Sequence, residues 1–145
     1  MSLIAAITEA RQRRDGDLLT NAIPYARLLG LKLETKGNEL TCAMPFSQVL
    51  VGNPVLPALH GGSVGGMMEC AAILHLLWNM DSVSVPKTVD FSVDYLRSAR
   101  AEDTYARAIM VRMGARVANL RVEAWQSDVH KPIAIGIGNF LLKTN

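Results

Sequence analysis

Cysteine is scarce in this 145-residue chain: Cys42 and Cys70 are the only two. Two isolated thiols make neither a disulfide framework nor a metal-ligand set. No cluster of His, Cys, Asp and Glu has metal-ligand spacing, so no metal is expected. Each cysteine reads as a small core residue in a reducing compartment. Long apolar runs are missing as well, and nothing approaches the roughly 20 residues that a membrane helix needs. The apolar stretch Leu3–Ile7 is followed at once by Glu9 and Arg11, which is not a signal peptide. These absences predict a cytoplasmic protein without a membrane partner. Charge of one sign is also in short supply. A net charge of +2 without a concentrated basic stripe argues against a nucleic-acid partner. The one dense basic run is Arg11, Arg13 and Arg14. Glu9 sits four residues before Arg13, so the run reads as a solvated helix face. Repeats, low-complexity tracts and linkers are absent, and the length suits one domain.

What is present has an order. Leu3, Ile4, Ile7 and Ala10 mark one face of an N-terminal helix, which the Asp15-Gly16-Asp17 group breaks. Pro24 to Leu29 suits a short helix, with Gly30 as its exit. Leu31–Thr35 and Glu39–Met44 form a hairpin around Gly37-Asn38. Pro45–Leu59 lacks periodicity and reads as a loop of functional length. A long helix is expected from about Gly62 to Trp78, with a broad apolar face. Four strands follow. In the first, Val89, Phe91, Val93 and Tyr95 alternate with Thr88, Asp90, Ser92 and Asp94. The others are Thr104–Met113, Ala118–Gln126 and Ile133–Leu142. Ala134, Gly136 and Gly138 alternate along the last one, which predicts a close approach there, with the helix as the candidate, or else relief of crowding at a bend.

The chemistry concentrates where the loop meets the long helix, in His60-Gly61-Gly62-Ser63-Val64-Gly65-Gly66-Met67-Met68-Glu69. A glycine-rich helix N-terminus presents approachable N–H groups with partial positive charge. Such groups can stabilise an oxyanion. Glu69 lies two turns further on, among small and apolar neighbours. A carboxylate so placed takes a raised pKa or a specific partner, and is a candidate base or nucleophile. On residues alone, a Glu69 that faces solvent stays open beside this reading.

His-Gly-Gly opening a helix, with an acidic residue nine positions after the His, resembles the PaaI-like hotdog thioesterases. Asn53-Pro54 in the preceding loop, the strand Thr88–Arg97 ending Tyr-Leu-Arg, and the final Gly138-Asn139-Phe140-Leu141-Leu142 extend the match over roughly residues 24–142. The resemblance implies an α+β hotdog fold: a curved antiparallel sheet wrapped around one long central helix. It divides the chain into an N-terminal helical extension, 1–20, and a hotdog domain, 21–145. The extension is then dispensable for chemistry and acts as a cover. The resemblance also implies a homodimer with its sites at the subunit interface, and leaves open whether two dimers pair. Acyl-CoA is the implied substrate, with coenzyme A as part of it and no separate cofactor. Glu69 takes the catalytic carboxylate position and the Gly61 N–H polarises the thioester carbonyl. Thr88, from the other subunit, helps place water. His60 fixes the loop and helix start, and Asn53 takes the place of a loop amide. Gly62 and Met68 line the substrate site. Arg97, Arg112 and Arg116 form a set for the phosphates of coenzyme A.

Two other functions compete. A hotdog dehydratase or hydratase needs a His well ahead of the helix acid, and Val55 and Leu56 stand there instead. A non-catalytic acyl-CoA-binding module gains nothing from a carboxylate beside the thioester. Other residues are set aside. His75, six positions after Glu69, reads as a hydrogen-bonded structural histidine, and His130 as a solvated turn residue. Cys70 has no positioned base. The glycines lack the Lys-Ser/Thr of a phosphate loop.

Overall fold

The computed structural model describes residues 2–37 and 39–142, so Asn38 of the expected turn lies outside it. Three short helices come first: α1 (Leu3–Arg13), α2 (Gly16–Ala22) and α3 (Pro24–Leu28). Arg14, in left-handed backbone, closes α1. The Asp15-Gly16-Asp17 group does more than break a helix. The Asp15 side chain accepts from the Asp17 N–H and caps α2, a helix the periodicity missed. Ile7, Ala10 and Leu19 join the same apolar core as the sheet. Through these side chains α1 and α2 pack against the core that the sheet and the long helix share. Arg13 pairs with Glu9 on the solvent side at 2.7 Å. Arg11 departs from the expected solvated face. Its Nε donates to the Leu77 carbonyl at 2.6 Å and its Nη2 to that of Ser82 at 3.1 Å. A cation there satisfies carbonyls that a helix C-terminus leaves unpaired. Ile7 is fully buried. Ile7→Ala should therefore lower folding stability by about 2–5 kcal/mol in urea denaturation. A loss within error would show that this segment does not belong to the core.

The hairpin β1 (Lys32–Lys36) and β2 (Glu39–Met44) follows, then a segment expected to be structureless. It contains a 3₁₀ turn at Gln48–Leu50 and a small ribbon, β3 (Val51–Asn53) with β4 (Ala58–Leu59). Next come α4 (Gly61–Asn79), β5 (Lys87–Tyr95), β6 (Thr104–Met113), β7 (Val117–Trp125) and β8 (Ala134–Leu141). The main sheet is antiparallel, in the order β1-β2-β6-β7-β8-β5, and curves around α4. Ala118, Leu120, Val122 and Ala124 of β7 alternate inward, as do Ala134, Gly136, Gly138 and Phe140 of β8. The many small residues leave room for the Met and Leu side chains of α4, which is apolar on most sides because most sides are covered. No helix among the described residues is long and apolar enough to cross a membrane.

Two details position the site. The first concerns the glycines of β8. A Cβ at Gly136 would lie 2.7 Å from the Phe91 ring and 3.2 Å from the Met68 methyl, and one at Gly138 would lie 2.6 Å from the same ring. The close approach is therefore mainly by Phe91 of the neighbouring strand, with the helix contributing Met68. The second is a bulge. Thr88 pairs with Phe140 and Asp90 with Asn139, so Val89 is an extra residue in β5. Strict alternation puts Thr88 opposite Phe91, Val93 and Tyr95. The bulge turns Thr88 onto their side, facing α4.

His75 departs from expectation. Its Nδ1 is buried with no hydrogen-bond partner among the described residues. Burial pushes its pKa below 6.5. The folded state thus favours the neutral ring. The stability tied to neutrality is complete above about pH 6.5 and is lost as pH falls through the lowered folded value. Urea midpoints should drop between about pH 7.5 and pH 5, and His75→Leu should flatten that slope. An unchanged slope in the variant would assign the effect to other groups.

Candidate active site

The N-terminus of α4 is held by His60. Its backbone N–H donates to the Leu50 carbonyl at 2.8 Å, fixing the ribbon to the helix start. Its Nδ1 accepts from the Gly62 N–H at 2.8 Å, which caps the helix. Nδ1 therefore carries no proton, and its lone pair is engaged in the cap rather than free to accept one from water. The His60 carbonyl takes the N–H groups of Ser63 and Val64 and the Ser63 hydroxyl. One donor of the first turn is left over. Among the described residues, the Gly61 N–H has no acceptor.

Tyr95, at the end of β5, donates its hydroxyl to the Gly61 carbonyl at 2.7 Å. Nothing in the spacing of residues pointed to this bond, which ties the sheet edge to the helix N-terminus. On the other side of the helix stands Tyr25 of α3. A Cβ at Gly66 would come within 2.8 Å of the Tyr25 hydroxyl, and one at Gly65 within 2.9 Å of the Tyr95 hydroxyl. Gly62, Gly65, Gly66 and Glu69 fall on one face of α4 by helical spacing. None of these four is fully buried, although most of the helix is. They floor an open slot with a tyrosine on either side.

Glu69 is half-buried at the far end of that slot. Its Oε1 accepts from the Thr88 hydroxyl at 2.6 Å, a short charge-assisted bond. This is the specific partner the sequence called for, and it comes from the same chain rather than from a second subunit. Thr88 donates its one proton to the carboxylate and keeps its lone pairs for a water. Cys70 is unsuited as a nucleophile. Burial, followed by the charge of Glu69, pushes its thiol up to about 11, so it stays protonated at neutral pH.

The remaining candidates separate. Asn53 uses its Oδ1 to accept from the Val55 and Leu56 N–H groups, shaping the ribbon turn. Gly62 is exposed beside His60. Met68 is fully buried between Gly136 and the rest of the core and does not line an open site. The three arginines do not form a set in one chain. Arg97 follows Tyr95, whose partner on β8 is Ala134. Arg112 and Arg116 flank the β6–β7 turn, at the end where Lys87 pairs with Leu141. The two ends are roughly 25 Å apart along the strand. Arg97 instead shares a recess with Arg100 and Lys131, and with Glu102 and Asp128. Arg100 and Lys131 are not legible as a pair in the sequence because their proximity depends on two loops meeting.

Comparison with known proteins places the fold in a family. Residues 56–133, over half of the chain, match the thioesterase superfamily. The medium/long-chain acyl-CoA thioesterase YigI of Escherichia coli (strain K12) is 31% identical over 122 residues, covering 74% of this chain and 79% of that protein. A crystal structure from Chromobacterium violaceum superposes with a TM-score of 0.78 at 40% identity, over 95% of this chain and 96% of that one. A Bacillus halodurans protein solved with CoA shares the fold at a TM-score of 0.75 and 16% identity, over 99% of this chain and 92% of its own. A half-buried carboxylate, a free N–H at a glycine-rich helix start and the sheet that carries them thus find their family: the chain belongs to the thioesterase superfamily and is a hotdog-fold thioesterase.

Proposed function

We propose that the chain hydrolyses acyl-CoA thioesters as a homodimer, with Glu69 as base or nucleophile and the Gly61 N–H on the carbonyl oxygen. The observation that carries this reading is the Glu69–Thr88 hydrogen bond on the same helix as a Gly61 N–H that has no acceptor among the described residues. The slot suggests a substrate with a medium or long acyl chain, as the name of the Escherichia coli relative has it.

Distance favours two chains. Gly61 and Glu69 are eight residues apart on α4, about 12 Å of helix rise. A carbonyl held by the N–H at ~3 Å and attacked at ~3 Å spans much less. Thr88 also ties the carboxylate at the far end of the slot. Two copies related by a two-fold axis, their α4 helices antiparallel, would set Gly61 of each beside Glu69 of the other. The surface suits such pairing. β5 is an edge strand with a free side, and Val89 is 61% exposed on it. An uncovered apolar edge invites a partner strand.

Detection of free thiol released from acyl-CoA substrates tests the reading directly. Release by wild type, with a dimer in sedimentation, is the expected result. Acyl-CoA binding without thiol release would favour the binding-module alternative.

A further inference from the structure

Two clefts open on opposite sides of the α4 N-terminus, and they differ in kind. One, of about 400 Å³, is lined by Leu59, Gly61, Val64, Leu96 and Ile133, with Arg97 as the one charged residue among the described lining. It continues through Arg97 and Ser98 into the recess that holds Arg100 and Lys131. The other, of about 390 Å³, lies between α3 and β3. Tyr25, Leu28, Val49, Leu50 and Val51 form its walls, and His60, Gly62 and Ser63 form its inner end. Among the described residues it has no Lys, Arg, Asp or Glu in its lining.

We propose that the α3–β3 cleft holds the acyl limb of the substrate, and that Tyr25, Leu28 and Val49 determine which chain lengths are accepted. The assignment rests on the acyl-CoA reading above. An acyl-CoA diverges from its thioester into an apolar limb and an anionic limb. The structure offers one apolar and one partly cationic cleft, diverging from the same helix start. Placing the acyl chain on the Arg97 side would set it beside charges that need water, and would leave the phosphates on an apolar wall. Leu28 and Val49 are 69% and 77% exposed. Two large apolar side chains at one cleft mouth, next to a reaction centre, gain by burial against an alkyl chain. Tyr25 stands where this cleft meets the slot, its hydroxyl against Gly66. It would therefore separate the bound acyl chain from Glu69 of the same chain and limit how deeply the acyl chain can enter.

The test compares kcat/KM for straight-chain acyl-CoAs from butanoyl to hexadecanoyl in wild type, Leu28→Trp, Val49→Trp and Arg97→Ala. Wild type should gain roughly fourfold per methylene until the cleft is full. Either tryptophan fills the cleft. It should move the optimum to shorter chains and lower the dodecanoyl-to-butanoyl ratio by about tenfold or more. Arg97→Ala should raise KM by a similar factor for every chain length. Both tryptophan positions are surface-exposed, and matching thermal melts would show that the variants fold. Active wild type with an unaltered ratio in both tryptophan variants overturns the cleft assignment alone. So does a chain-length effect confined to Arg97→Ala. Wild type inactive on every acyl-CoA overturns the substrate reading and this assignment with it.

Discussion

Glu69→Gln is expected to lower kcat by about 10²–10⁴, the range for a positioned acid–base group. A thioester carbonyl at neutral pH needs an activated oxygen nucleophile, because water alone is too weak. The amide keeps the shape of the side chain and an oxygen able to accept from Thr88, so the 2.6 Å contact survives in kind. What goes is basicity and nucleophilicity. Affinity for acyl-CoA should stay near wild type, and so should the melting temperature, since among the described residues Glu69 has no charged partner to strand. Thr88→Ala should cost less, about tenfold, because it loosens the carboxylate and a water without removing the base. Thr88→Ser keeps the hydroxyl and should restore most of that loss. Steady-state kinetics on one good substrate decides the matter. Near wild-type turnover by Glu69→Gln would falsify the carboxylate mechanism.

Gly61→Pro should cost about 10²–10³ in kcat, the loss seen when a single oxyanion donor is removed. Proline is a clean probe here. Gly61 is the first residue of α4, where proline is favoured and no intrahelical bond uses the N–H. His60 before it sits at φ −65° and ψ 129°, the extended region that a residue preceding proline requires. A Cβ at Gly61 meets the Tyr95 ring at 3.4 Å, ordinary contact. The fold should therefore hold while one N–H disappears. Mixing Gly61→Pro with Glu69→Gln then asks where the site lies. If each site takes Gly61 from one chain and Glu69 from the other, a mixed dimer carries one intact site and one doubly damaged site. Random exchange of subunits should restore about a quarter of wild-type activity from two nearly inactive proteins. No recovery after verified exchange would place both groups in one chain and overturn the interface site.

Much of this site could be read before folding. Period-two alternation located β5, strand-like runs between turn signals located β6 to β8, and the apolar face located α4, because these signals are local and the elements are long. The glycine-rich helix start was legible as a local pattern, expected at about Gly62, while the His60 cap on the Gly62 N–H appeared only in the structure. The failures have the opposite character. α2 was missed because Asp15-Gly16-Asp17 spells both a stop and a start, and only packing against the core decides that the chain resumes a helix. The resemblance put Thr88 on a second subunit, and alternation, which cannot register an extra residue, gave no sign that it faces Glu69 within the chain. The bulge at Val89 exists only as a mismatch with β8. The arginine set failed because Arg97, Arg112 and Arg116 sit at strand ends, and which ends coincide depends on sheet order.

By itself, then, the sequence determined the kinds of groups available to this protein: a lone carboxylate two turns into an apolar helix, a glycine-rich N-terminus and a β-rich second half. These are properties of residues and near neighbours, settled by local sterics and hydration. Tertiary structure alone decided which groups meet. It brought Thr88 to Glu69 across a strand and a helix, Tyr95 to the Gly61 carbonyl, and Tyr25 to Gly66. It also left one face of α4 uncovered between two unlike clefts. Such meetings turn on strand register and on which helix face the core leaves free. Both are set by the packing of the whole chain, and a shift of one residue in either would undo them.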